Sequence, residues 1–266
     1  MIGRVGAALI LHETVERLRD RWVIVVSVLF ALLASAVSLY GRKAGGPAMM
    51  LAGPSLVTLS SLFVPLVALV LSHDAIAGER SRNTLGLLLS LPVSRTEVVF
   101  AKFIGRGIAL IIAVTAGITA AAIFSGGGQS KVLFQLLMPT LLLGLSFLAL
   151  GMLISSVVSR PSGAASLVIV AWFGMVFFYD MGLLAILVLT DGGISPNTMT
   201  SLVIGNPTGL YQLTMMRELG GPDMLGSLGI AATVPSLFQQ IAIWFAWIVG
   251  PVAISGVLLS KKKVLQ

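Results

Sequence analysis

The chain has 266 residues, of which 57% are hydrophobic and 10% are charged, whereas an ordinary soluble domain has about 25% charged residues. A chain of this length has no core large enough to keep so much apolar surface from water, so the composition excludes a soluble globular domain and predicts an integral membrane protein. The net charge of +7 reflects membrane topology rather than nucleic-acid binding, and the absence of cysteine excludes disulfides and cysteine-based metal or redox centres.

The apolar residues fall into runs of the length that crosses a bilayer, which is about twenty residues for a helix. Six such runs are predicted, at 22–40, 56–72, 103–124, 132–158, 164–190 and 237–259. Pro65 lies in the second run, and Asp180 interrupts the fifth. The sequence therefore predicts an all-α membrane fold with six transmembrane helices in a single domain, residues 1–266.

The positions of lysine and arginine orient these spans, because short loops rich in these residues stay in the cytoplasm. With the N-terminus inside, thirteen of the seventeen lie on the cytoplasmic side. The four on the other side are Arg42, Lys43, Lys131 and Arg217. We therefore expect both termini to be cytoplasmic, in a bacterial inner membrane, with no nucleic-acid partner.

Three segments outside the spans are long enough to have a role. In residues 4–21, Ala8, Leu11, Val15 and Leu18 recur at the spacing of an amphipathic helix that lies in the membrane interface. An extension of the first span is the alternative. Residues 74–102 form the longest cytoplasmic connection, and residues 191–236 form an extracytoplasmic segment rich in Gly, Pro and Asn.

The cytoplasmic connection contains an unusual apolar patch at 85–91, which Pro92 ends. Ser94 and Glu97 then form a capping-box pattern that predicts the start of the next helix. An apolar patch beside charged residues suits an amphipathic element that docks on a soluble partner. A helix lying on the membrane surface, without a partner, is the alternative.

Several segments resemble ABC-2 type permeases. They are DAIAGER at 74–80, TLGLLLSLPVSR at 84–95 and FAKFIGRG at 100–107. The branch of the family that serves maturation of nitrous-oxide reductase, a multicopper enzyme, is the most similar. Its members also have an arginine-bearing helix before the first span, an aspartate in the fifth span and an NPTxxY motif outside, matched here by Asn206, Pro207, Thr208 and Tyr211.

This resemblance implies an ABC-2 fold similar to that of type V exporters, with an N-terminal interfacial helix and a cytoplasmic coupling helix. Two copies of an ABC ATPase, which bind ATP and Mg²⁺, would act on two copies of the permease, with a β-helical periplasmic protein and a copper chaperone as further partners. The residues implied in ATPase coupling are Gly78, Glu79, Arg80, Arg82, Leu85, Leu87, Leu88 and Leu89. Arg80 follows Glu79 where the family has an acidic pair, so the charge of this contact differs.

Motifs for chemistry by the chain itself are missing. There is no GxxxxGK[ST] loop to bind the phosphates of ATP, so an ATPase would be a separate chain. In HETVE at 12–16, Glu16 stands where a zinc protease has its second histidine. We therefore predict a non-catalytic subunit with no catalytic residue, no metal ligand and no bound cofactor of its own.

Some residues allow two interpretations. Asp180 is the one acidic residue deep in a predicted span, where it either serves transport or has a structural role, which we favour. Six methionines cluster toward the outer side of the predicted topology and are interpreted as packing residues rather than Cu(I) ligands: Met175, Met181, Met199, Met215, Met216 and Met224. The NPTxxY motif is either a docking surface for a periplasmic partner or a structural corner.

Two other functional classes fit the sequence less well than an ABC permease that transports or transmits force. An ATP-independent transporter or channel would have several intramembrane polar residues, and an intramembrane enzyme would have a catalytic set. Within the ABC class, export of a lipid-like or other cargo is the alternative to maturation of the copper enzyme.

Overall fold

Long apolar helices dominate the computed structural model, which describes residues 4–44, 46–86, 93–124, 130–215, 218 and 235–261. We number the helices α1 (Arg4–Leu18), α2 (Arg21–Ala44), α3 (Gly46–Ser72), α4 (Ala77–Ser81), α5 (Arg95–Phe124), α6 (Ser130–Val157), α7 (Pro161–Phe173), α8 (Tyr179–Leu189), α9 (Pro196–Ile204), α10 (207–215) and α11 (Leu237–Lys261). A π-helical turn, Gly174–Phe178, joins α7 to α8.

Six helical segments in the described residues are long and apolar enough to cross a membrane. They are α2, α3, α5, α6, the continuous α7–α8 segment and α11. This result confirms the predicted all-α fold with about six transmembrane helices.

The spans alternate in direction, so the connections gather at two ends of the bundle. One end, which we call the α1 end, holds α1, α4 and the beginnings of α2 and α5. The opposite end, the α9 end, holds α9 and the beginning of α11. At the α1 end, the predicted capping box is confirmed, because Glu97 N donates to Ser94 Oγ at 3.2 Å and Ser94 N donates to Glu97 Oε2 at 2.8 Å.

The centre of the bundle consists of α3, α5 and α6. Helix α3 packs against α2 and α6, and α5 packs against α1, α2 and α6. Helix α11 covers α5 and α6 from another side. Because α1 and α5 pack closely at the α1 end, residues far apart in sequence meet there.

The α7–α8 segment is the least covered span. Only 11% of it is buried, against 61% of the span Gly53–Ser81. One of its ties to the centre is Trp172, whose Nε1 donates to Leu62 O at 3.0 Å. Most of its surface is therefore open to lipid or to another protein.

Candidate functional site

Buried and partly buried charges gather at the α1 end in an arrangement that we call the ionic cluster. It joins α1, the segment 73–81 that contains α4, and α5. Its members are Glu13, Arg17, Asp74, Glu79, Lys102 and Arg106. Three carboxylates face three cations, so the cluster is neutral overall, as burial of ionised groups requires.

Arg106, on α5, is at the centre of the cluster and is only 1% exposed. Its Nε donates to Glu13 Oε2 at 3.0 Å, and one of its terminal nitrogens donates to Asp74 Oδ1 at 2.7 Å. The same nitrogen donates to Leu71 O at 2.5 Å, at the end of α3. One guanidinium therefore connects α1, α3 and α5, a task for which its planar set of donors is suited.

Lys102 lies one turn before Arg106 on the same face of α5. Its Nζ donates to Glu13 Oε1 and, at 2.9 Å, to Glu79 Oε1. Glu79 belongs to α4, so Lys102 links α4 to α1 through α5. The pair formed with Glu13 is almost completely buried, since both side chains are about 5% exposed or less.

Arg17 completes the cluster from α1. It lies 3.1 Å from Asp74 Oδ2 and 3.4 Å from Asp20 Oδ2. Burial alone would raise the pKa of Glu13, but Arg106, Lys102 and Arg17 together hold it below its usual value. Glu13 is therefore ionised at neutral pH and holds its cations in place.

A glycine on α5 allows α1 to approach closely enough for these contacts. A Cβ atom at Gly105 would lie 2.7 Å from Glu13 Cβ and 2.8 Å from Ile10 O. Thr14 Oγ1 also donates a buried hydrogen bond to Gly105 O at 3.1 Å. The absence of a side chain at Gly105 thus places the Glu13 carboxylate beside Lys102 and Arg106.

The segment containing α4 is also fixed to the end of α6. Ser155 Oγ accepts hydrogen bonds from Ile76 N at 2.9 Å and Ala77 N at 3.0 Å, at the start of α4. Arg80 donates to Val158 O at 2.9 Å. Helix α4 is therefore held by α5 on one side and by α6 on another.

The residues implied in ATPase coupling have different surroundings. Gly78 is buried, Glu79 belongs to the ionic cluster, and Leu85 is 7% exposed and packs with apolar residues such as Val99. Arg82 is 62% exposed, and its guanidinium lies 4.0 Å from Glu16 Oε1 on α1. Leu87, Leu88 and Leu89 lie outside the described residues.

The ionic cluster was not predicted from the sequence. Arg17, Lys102 and Arg106 belong to the thirteen cytoplasmic cations that orient the spans, and Glu13 and Asp74 had no predicted role. One signal was present: Lys102 and Arg106 are four residues apart where α5 enters an otherwise apolar run, so both charges lie on one helical face.

At the α9 end, the motif residues are buried. Asn206 is 1% exposed, and Thr208 and Tyr211 are completely buried. Tyr211 Oη lies 3.2 Å from Thr140 Oγ1, on α6. The side chains of Asn206 and Tyr211 therefore form hydrogen bonds within the chain, and Pro207 begins α10 beside them.

Asp180 is the second residue of α8 after the π turn and is partly exposed. Its carboxylate makes no hydrogen bond or ion pair with any residue in the described part of the chain. An ionisable group in a span is costly in hydrocarbon, so a polar neighbour outside the chain would stabilise this carboxyl group.

Acidification tests the contribution of Glu13. Because its pKa is lowered on folding, its charge stabilises the protein fully above the unfolded value of 4.5, and this contribution is lost as the pH falls through the lower folded value. We expect Glu13→Gln to lower the free energy of unfolding by about 2 kcal/mol at pH 7. Thermal unfolding in detergent should show that the difference from wild type shrinks below pH 4.5. A constant difference would contradict an ionised Glu13.

Comparison with known proteins agrees with this architecture. The profile of the ABC-2 family of transporter proteins matches residues 7–264. The chain is 35% identical over 248 residues to the probable ABC transporter permease protein NosY of Pseudomonas aeruginosa, covering 87% of this chain and 90% of that protein. It is 34% identical over 252 residues to the protein of the same name from Stutzerimonas stutzeri, covering 89% of this chain and 91% of that protein. The chain therefore belongs to the ABC-2 family of transporter proteins.

Proposed function

We propose that this permease couples ATP hydrolysis by a separate ATPase to a movement of its transmembrane helices. Membership of the ABC-2 family supports this proposal, as does the absence of a phosphate-binding loop from the sequence. Two ATPase chains, with their ATP and Mg²⁺, would bind two copies of the permease. The permease itself is a non-catalytic subunit that binds no cofactor.

The observation that carries the proposal is the attachment of α4 to other helices. Glu79 is ion-paired with Lys102 on α5, and Arg80 is hydrogen-bonded to the end of α6. Lys102 also contacts Glu13, so α1 is attached to the same point. A force applied to α4 would therefore reach α1, α5 and α6 without relying on a flexible loop.

The proposed orientation places the α1 end and both termini in the cytoplasm of a bacterium, with the spans in its inner membrane. The excess of lysine and arginine on that side supports this orientation. The ATPase would then contact the segment 78–89 beside the ionic cluster. Arg82 extends from this segment into solvent and suits a first contact with an acidic patch of the ATPase.

The process that the permease serves is inferred from its relatives and from the branch of the family that its motifs resemble. Both relatives are named as permeases of the NosY type. We infer that this chain serves the maturation of nitrous-oxide reductase, by transport or by transmitting force to a β-helical periplasmic protein that works with a copper chaperone. The few polar residues predicted in the spans favour force transmission, or transport of a lipid-like or weakly polar cargo.

Reversal of an exposed charge tests the ATPase contact at a small cost to the fold, because Arg82 lies 4.0 Å from Glu16 of α1 and both side chains are accessible to water. In nanodiscs that contain the permease and its ATPase, we expect Arg82→Glu to reduce stimulation of ATP hydrolysis about tenfold, equivalent to about 1.4 kcal/mol at the interface. Arg19→Glu is the matched control, because Arg19 is an exposed arginine at the same end but outside the proposed contact. Equal stimulation by wild type and Arg82→Glu, or equal loss in both variants, would argue against this site.

A further inference from the structure

The π turn divides the least covered span between two separate anchors. Before the turn, Trp172 is hydrogen-bonded to Leu62 of α3. Within and after it, the span is bonded to the corner between α9 and α10, where Asn206 Nδ2 donates to Met175 O and Tyr179 Oη donates to Leu202 O, both at 2.5 Å. The turn therefore lies where two anchored halves of the span meet.

The geometry of Asn206 fixes which of its atoms faces the turn. Asn206 Oδ1 accepts a hydrogen bond from Thr208 N at 3.1 Å, and only the oxygen of the amide is an acceptor. The amide nitrogen must therefore point to Met175 O, inside the π turn. Asn206 is 1% exposed, so the loss of this bond would leave a buried polar group unpaired.

The corner is in turn attached to the centre of the bundle. On α10, Tyr211 Oη contacts Thr140 Oγ1 of α6, and Gln212 Nε2 donates to Ser61 Oγ of α3 at 3.4 Å. A displacement of α3 or α6 would therefore reach the π turn through Asn206. The α7–α8 span has little buried surface of its own to resist such a displacement.

A π turn accommodates one residue more than the α-helix around it. In the π turn, Tyr179 N bonds to Gly174 O, five residues earlier. If the segment became α-helical, each later residue would rotate by about 100° around the helix axis, since an α-helix has 3.6 residues per turn. Asp180 is the second residue after the turn, so its carboxyl group would point in a different direction.

We propose that Asn206 is a positioning residue that holds residues 174–178 in the π register and so fixes the direction in which Asp180 points. The inference deepens the proposed function and rests on it, because a motion delivered by α3 and α6 would act on this register. Loss of the hydrogen bond from Asn206 Nδ2 to Met175 O lets the turn become α-helical, which rotates residues 179–189 around the helix axis.

The absence of cysteine makes a direct test possible, since two introduced cysteines can be spin-labelled without removing others. We choose Val188, on α8 beyond the turn, and Phe134, on α6, both of which are exposed. In the permease–ATPase complex in nanodiscs, Asn206→Ala should shift the distance between the labels by about 5 Å, the expected displacement for a 100° rotation of a side chain. Ser201→Ala, an exposed change on α9, should leave the distance unchanged.

A deletion separates loss of register from loss of folding. Deleting Phe177 removes the extra residue of the turn and leaves residues 179–189 in place, so Asn206→Ala should have no further effect on the distance in that background. If Asn206→Ala alone does not fold, the deletion should restore folding. The inference is overturned if Asn206→Ala leaves the wild-type distance unchanged, or if the deletion neither suppresses its shift nor restores folding. ATPase binding and stimulation, measured on the unmutated complex, test the proposed function separately.

Discussion

Replacement of Arg106 by methionine should destabilise the folded permease by about 3–5 kcal/mol, the cost of breaking a buried ion pair by removing one partner. Methionine has a similar length but no charge, so Glu13 and Asp74 would each lose a cation in a buried site. Leu71 O would also lose a hydrogen-bond donor. Thermal or denaturant unfolding in detergent measures the change.

Two further variants show whether the loss of stability in Arg106→Met comes from the ionic cluster. Arg106→Lys keeps the charge but loses the planar set of donors, so we expect an intermediate loss of stability. Arg160→Met removes an exposed arginine at the same end of the bundle and should change stability by no more than about 0.5 kcal/mol. If the Arg106→Met and Arg160→Met proteins unfold alike, Arg106 does not stabilise the cluster.

Addition of a single methyl group at Gly105 should also have a large effect. In Gly105→Ala, the new Cβ would overlap with Glu13 Cβ and Ile10 O, so α1 has to move away from α5. We expect a loss of about 1–3 kcal/mol, as for overpacking in a well-packed core. Because the same movement lengthens the contacts from Glu13 to Lys102 and Arg106, ATPase stimulation should decrease as well.

Gly182→Ala is the matched control on α8, where no atom lies within 4 Å of the added Cβ. Alanine has the higher helix propensity, so this variant should be neutral or more stable by up to about 1 kcal/mol. Unfolding of both variants should be compared under the same conditions. A Gly105→Ala protein as stable as Gly182→Ala would show that the approach of α1 to α5 is not tight.

The fold class could be predicted from the sequence because it depends on local properties. Each span is a continuous apolar run of the length that a bilayer requires, and no long-range contact is needed to recognise it. The start of α5 was predictable for the same reason, since the Ser94 and Glu97 pattern acts within one turn.

The ionic cluster could not be predicted in this way, because its pairs join distant parts of the chain. Glu13 is 89 residues from Lys102 and 93 residues from Arg106. A charged residue beside a predicted span is adequately explained as a topology signal. Only the packing of α1 on α5 shows that these charges are buried. The π turn at 174–178 likewise has no local signature, because its register depends on contacts with a corner about thirty residues later.

The central claim, that a separate ATPase acts at the α1 end, is tested most directly by single-cysteine crosslinking. A photoreactive label on Arg82→Cys should capture the ATPase in the assembled complex, because Arg82 is exposed beside α4. The same label on Thr198→Cys, exposed at the α9 end, should not capture it. Capture from Thr198→Cys, or from neither position while the ATPase remains bound, would contradict the claim.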